Sequence, residues 1–151
     1  MDVYPWLKTV HVMLAIVAVG TNVTYGIWQA RAGREPQHIL WTLRGVKFLD
    51  DRVANPSYIA LAVVGVLLVL TGPWEFEMLW IAVSIGLYIL LAVVGLFLYS
   101  PTLSRQIGVY ETDGPASPEF SALTGRSRLL GALMGVLVAV IVVLMVVKPG
   151  A

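Results

Sequence analysis

The sequence predicts an all-α polytopic membrane protein, an antiparallel four-helix transmembrane bundle. Three observations predict it. Of 151 residues, 58% are hydrophobic and 13% are charged, against about 45–50% apolar and about 25% charged in a soluble domain. Four uncharged runs, 9–30, 53–74, 78–99 and 129–147, hold 19 to 22 residues each, and about 20 are needed to cross ~30 Å of hydrocarbon. The charges that remain sort by loop. This composition excludes an ordinary soluble enzyme, a secreted disulfide scaffold and a nucleic-acid binder. There are no cysteines, so a thiolate metal site is excluded as well. The expected partners are the lipid bilayer and either a membrane-protein partner or further copies of the chain, with no nucleic acid.

The chain reads as a single transmembrane domain over 1–151, with spans at about 5–28, 53–72, 78–100 and 128–147. The start, Met-Asp-Val-Tyr-Pro-Trp-Leu-Lys, lacks a basic n-region, and the apolar run behind it is too long for a signal peptide. The first span is therefore expected to stay in the mature protein. Arg31, Arg34, Arg44, Lys47 and Arg52 follow span one, and Arg105, Arg126 and Arg128 follow span three. The turn between spans two and three carries Glu75 and Glu77 and no base, and the chain ends add only Lys8 and Lys148. Cytoplasmic loops collect Lys and Arg. The expectation is a bacterial inner-membrane protein with both termini outside.

Between spans one and two, Ile39, Leu40, Leu43 and Val46 recur at helical spacing beside Arg44 and Lys47. Two readings stay open: an interfacial helix on the inner leaflet, or an extension of span two. Pro56 is expected in the first turn of span two, where a missing N–H does little harm. Pro101, Gly114, Pro115 and Pro118 give the segment after span three a loop composition. Ser117-Pro118-Glu119 then reads as a helix start, with Ser as the cap and Pro in the first turn.

Polar and small residues mark the faces that meet protein rather than lipid. Tyr4, Lys8, His11, Ala15, Ala18, Asn22 and Tyr25 form a 3.5-residue seam along span one. Asn55, Tyr58, Ala62, Gly65, Val69 and Gly72 continue it on span two, and Ser84, Tyr88, Ala92, Gly95 and Tyr99 on span three. Span four carries Gly131, Gly135 and Ala139, a small-residue ladder expected to pack helix on helix. Two polar layers result. Asn22, Tyr25, Asn55, Tyr58 and Tyr99 are expected to hydrogen-bond one another near the inner interface. Asp50 and Asp51, beside Arg52, read as solvated or locally paired charges at that edge.

The outer layer gathers Lys8, His11, Glu75, Glu77, Met78, Met145 and Lys148 at similar depth, and three chemistries are considered for it. Imidazole ligates haem iron and copper, so His11 is the candidate ligand and Lys8 the candidate partner of a propionate. Met78 or Met145 would complete a His/Met pair or a copper site, with copper ranked below haem b. Transport by a carboxylate relay is disfavoured, because none of the carboxylates lies within the four uncharged runs. No soluble-type catalytic motif is present, and no catalytic residue is assigned.

The opening Trp6-Leu7-Lys8-Thr9-Val10-His11-Val12, the Asn55-Pro56 step, the Thr71-Gly72-Pro73-Trp74 turn and the closing Leu144-Met145-Val146-Val147-Lys148-Pro149 carry a resemblance. Over nearly its whole length the chain resembles a family of four-span bacterial integral membrane proteins of unassigned function. More distantly it is similar to HemJ-type and CopD-type membrane proteins. Lys8, His11 and Val147-Lys148-Pro149 match the Leu-Lys-x-x-His start and Val-Lys-Pro end of the HemJ type. That similarity implies haem b binding through His11 and oxidation of protoporphyrinogen. The acidic Trp74-Glu75-Phe76-Glu77-Met78 turn departs from the basic pattern that HemJ-type chains have there. Two functions follow as expectations: a non-catalytic accessory or structural subunit of a membrane complex, and a haem- or copper-binding redox protein using His11.

Overall fold

A computed structural model describes residues 2–150. Four of its helices are long and apolar enough to cross a membrane: Tyr4–Ala32, Pro36–Thr71, Leu79–Asp113 and Pro118–Val147. The first is α1 (Tyr4–Ala32). The second begins with a 3-10 turn, Pro36–His38, and runs through α2 (Ile39–Leu49), a π-helical segment Asp50–Ala54, and α3 (Asn55–Thr71). The third is α4 (Leu79–Val93), a second π segment Val94–Tyr99, and α5 (Ser100–Asp113). The last is α6 (Pro118–Val147). Turns at 33–35, 72–78 and 114–117 reverse the chain between them. Both chain ends and the 72–78 turn share one end of the bundle, here called the terminal end. The other is the basic end.

Two of the helices are longer than any bilayer requires. At about 1.5 Å per residue, the 36-residue and 35-residue helices reach past 50 Å. The surplus is α2 and α5, which form a packed layer at the basic end. This settles one open reading and corrects one expectation. Among the described residues no separate interfacial helix is present: α2 continues into α3 without leaving helical backbone angles, as the reading of an extended span two has it. Leu43 and Val46 are buried in the protein core rather than dipped into headgroups. The segment after span three is a loop only at 114–117, where Gly114 and Pro115 lie; before that, Pro101 sits in the helix α5, which buries Leu103, Gln106 and Val109.

The same finding corrects the placing of Pro56. It is not at the free start of a helix; it sits within one. A proline in a helix interior removes a donor and clashes with the carbonyl four residues back. For Pro56 and Pro101 those carbonyls belong to Arg52 and Phe97, and both lie in the π segments. Widening the turn relieves the clash. The Asn55 N–H donates to the Asp50 carbonyl and the Ser100 N–H to the Gly95 carbonyl, each five residues back.

The start of α6 is as the sequence indicates. Ser117 Oγ accepts from the Phe120 N–H at 3.2 Å, with Pro118 at the first position. The helix ends where Lys148 takes a left-handed conformation, φ 48°, and donates its N–H to the Leu144 carbonyl.

The four helices pack as two pairs. Helix α1 lies along α3, and α4 lies along α6. The pairs join at the basic end, where α2 packs on α1 and α5, and α5 on α6. Tyr25, Leu43, Val46, Tyr99, Leu103 and Phe120 form the centre of that core. Surface ion pairs follow the same joins: Arg44 with Glu111 at 2.6 Å and Arg105 with Glu119 at 2.5 Å. Both are exposed and contribute about 0–1 kcal/mol each.

The small ladder on α6 departs from its expected role. Gly131, Gly135 and Ala139 are exposed, and a methyl group added at Gly135 would meet nothing within 4 Å. Helix α6 buries Met134, Leu137 and Val138 instead. Larger side chains fill that seam, so the ladder is turned outward.

Gly72 is where the terminal end closes. A Cβ there would lie 2.5 Å from Tyr4 Cε2, 2.7 Å from the Leu68 carbonyl oxygen and 2.9 Å from Trp74 Cδ1. Overpacking of this kind costs about 1–3 kcal/mol. Gly72→Ala should lower the thermal midpoint of the detergent-purified protein, while Gly86→Ala, with open space around it, should not. Equal midpoints for the two variants would contradict the packing described.

Candidate functional site

The terminal end is held by aromatic rings. Trp74 Nε1 donates to the Tyr4 hydroxyl at 2.7 Å, tying the 72–78 turn to α1. Trp74 and Trp80 meet edge to face, 5.3 Å between centroids. Lys148 Nζ lies 4.0 Å from the Trp74 ring centroid and 5.6 Å from that of Trp80. The left-handed cap of α6 thus delivers an ammonium onto an aromatic face, a cation–π contact.

His11 lies about 10 Å deeper along α1, at 1.5 Å for each of seven residues from Tyr4. Its ring fills the space left by the missing side chain of Gly65: a Cβ there would be 3.1 Å from His11 Cε1. The Leu61 carbonyl, one turn earlier on α3, faces the ring. Nδ1 is buried and has no hydrogen-bond partner. Lys8 is exposed, Met78 caps the start of α4, and Met145 is half-buried in the last turns of α6. Glu75 and Glu77 are exposed. The expected outer layer therefore divides. Lys148 belongs to the tryptophan cluster, and His11 belongs to the α1–α3 seam. Among the described residues no group of three His, Cys, Asp or Glu side chains is placed to hold a metal. A metal at His11 would draw its other donors from thioethers or backbone oxygens.

The second candidate site is a cavity of about 260 Å³ inside the membrane-spanning part. It lies where the two helix pairs separate. Asn22 of α1, Tyr58 of α3, Tyr88 of α4 and Met134 of α6 line it, with Asp50 and Asn55 from the first π junction. Asn22 Nδ2 donates to the Tyr58 hydroxyl. The Tyr88 hydroxyl donates to the Tyr58 carbonyl at 2.5 Å, and among the described residues this is the only side-chain hydrogen bond joining α3 to α4. The expected inner polar layer is thus present in part. Its Asn22–Tyr58 bond forms, while Tyr99 accepts instead from Gln29 Nε2 at 3.0 Å and stacks on Tyr25 at 6.4 Å.

Asp50 is the residue that sequence reasoning misplaced. It is 5% exposed, not solvated. Lys47 Nζ donates to Asp51 Oδ1 at 2.5 Å and to Ser100 Oγ at 3.1 Å, so Asp51 holds the ammonium. Ser100, Asn55 and Lys47 surround Asp50, yet its Oδ2 has no partner and is shut from solvent. The π turn explains the exchange of roles. An extra residue in the turn brings positions five apart onto one face, so Asp50 aligns with Asn55 while Asp51 faces outward. The signal in the sequence was the Asn55-Pro56 step just after the carboxylates, because an interior proline is a cause of such a turn.

Four long apolar helices with buried polar groups between them define a multi-pass integral membrane protein with four spans. The family described as "Predicted integral membrane protein (DUF2269)" matches residues 5–149. The chain belongs to that family, whose function is unknown. No curated protein and no solved structure matches it.

Proposed function

We propose that the protein is a non-catalytic subunit of an inner-membrane assembly, packed against a transmembrane helix of another chain or of a second copy. The supporting observation is the outward small-residue ladder of α6. In lipid, helices associate through close backbone approach at small residues. Gly131, Gly135 and Ala139 are exposed, and around Gly135 the chain's own helices leave open space, while Gly131 borders Tyr99. The chain has no cysteine, so a single introduced thiol reports contacts cleanly. A Gly135→Cys variant oxidised in native membranes should give a discrete cross-linked species, at twice the chain mass for a second copy or at another fixed mass for a partner. Gly135→Leu should shift the native complex to lower mass without unfolding the chain. A monomer in both experiments would refute the reading.

The orientation we propose has both termini outside, on the strength of eight basic residues at the opposite end. Cysteines placed at Asp2 or Pro149 should react with a membrane-impermeant maleimide added to spheroplasts, and one at Gln37 should not. The reverse pattern would invert the topology.

A second reading is a haem b- or copper-binding redox protein of the HemJ or CopD kind. It is favoured by the half-buried imidazole of His11, whose Nδ1 is enclosed and unpartnered, and by its match to the opening histidine of the HemJ type. A protein purified after haem-replete expression should then show a Soret band that His11→Ala abolishes, or bound copper that His11→Ala removes. A colourless, metal-free wild type would eliminate it.

A further inference from the structure

We propose that the cavity between the helix pairs binds a small amphiphilic organic cation, an ammonium group on an apolar body, with Asp50 as its counter-ion. The carboxylate is nine-tenths buried and lines the cavity, and its Oδ2 meets no donor from the protein. Buried charges are normally paired, since an isolated one is strongly disfavoured away from water. The nearest ammonium, Lys47, acts on Asp50 only through its field; its bonds go to Asp51 and Ser100, and it makes none to Asp50. The missing partner is therefore a donor, and a cation satisfies both the lone pairs and the charge.

The rest of the cavity selects the body that carries that charge. Tyr58 and Tyr88 stand near it with rings tilted 60° to each other, 6.3 Å apart, and aromatic faces attract ammonium groups. Beyond them the wall is aliphatic, from Ala62 and Val63 on α3 to Leu96 and Met134 opposite. A bare divalent ion is usually held by several carboxylate and carbonyl oxygens, whereas Asp50 is the only carboxylate in this wall. A cavity of about 150 Å³ holds benzene, so ≈ 260 Å³ admits a larger apolar group. Because α3 packs on α1 and α4 on α6, the gap between α3 and α4 offers a lateral way in from the bilayer. The Tyr88–Tyr58 bond lies across that gap.

The test uses the full-length protein in maltoside micelles and 1-naphthylmethylamine as radiolabelled probe. The wild type should bind it saturably, and unlabelled amine should compete about tenfold or more better than 1-naphthylmethanol, the difference expected when a charge-assisted bond is lost. Asp50→Asn should erase that preference. Met134→Trp, which fills the cavity from the α6 wall, should abolish binding of both compounds. Circular dichroism verifies that the variants fold, and the wild-type amine-to-alcohol ratio decides the matter should Asp50→Asn fail to. Equal competition by amine and alcohol, retention of the preference in Asp50→Asn, or no saturable binding would overturn the proposal. Displacement of the amine by sodium chloride but not by choline chloride would also overturn it, in favour of an inorganic cation.

Discussion

A backbone inside lipid has no water to bond to, so each N–H and C=O must find its partner within the protein. Two prolines in helix interiors put that requirement under tension here, and the π turns beside them resolve it. The Asn55 and Ser100 N–H groups reach carbonyls five residues back instead of four. Much of the rest follows from this accommodation. The helices continue as α2 and α5, and those continuations supply the packed layer at the basic end. The extra residue in each turn also changes which side chains face inward.

The two junctions lie against each other. Lys47 bridges Asp51 on the first and Ser100 at the end of the second, while Asp50 sits between them with one oxygen unpartnered. The basic end is consequently dense and polar-bonded, with Gln106 Nε2 donating to Thr124 Oγ1 at 2.8 Å. Towards the terminal end the pairs draw apart, and the tryptophan cluster closes the far side through Tyr4, Trp74, Trp80 and Lys148. The cavity occupies the interval between these two closures.

The seam residues show what periodicity conveys. Ala18, Tyr25, Ser84 and Tyr99 are all buried, as their 3.5-residue spacing indicates. Gly65 and His11 meet, although neither position alone specifies the other. The ladder on α6 shows the limit. Small residues signal that close approach is available, but they do not say whose helix approaches, and here the chain's own helices use the neighbouring face. Asp50 shows a second limit. A count of residues assumes a fixed number per turn, and one widened turn reverses the roles of two adjacent carboxylates.

The sequence by itself determined the class of object, the number of spans, the cap at Ser117 and the polar seams of the first three spans. These depend on composition, length and local hydrogen bonding, all of which are carried by nearby residues. Tertiary structure alone decided that α2 and α5 are continuous with their spans, that His11 seats on Gly65, that Lys148 covers Trp74, and that Asp50 rather than Asp51 is enclosed. Each of those depends on a partner tens of residues away, or on a turn whose width is set by the clash between a proline and a carbonyl.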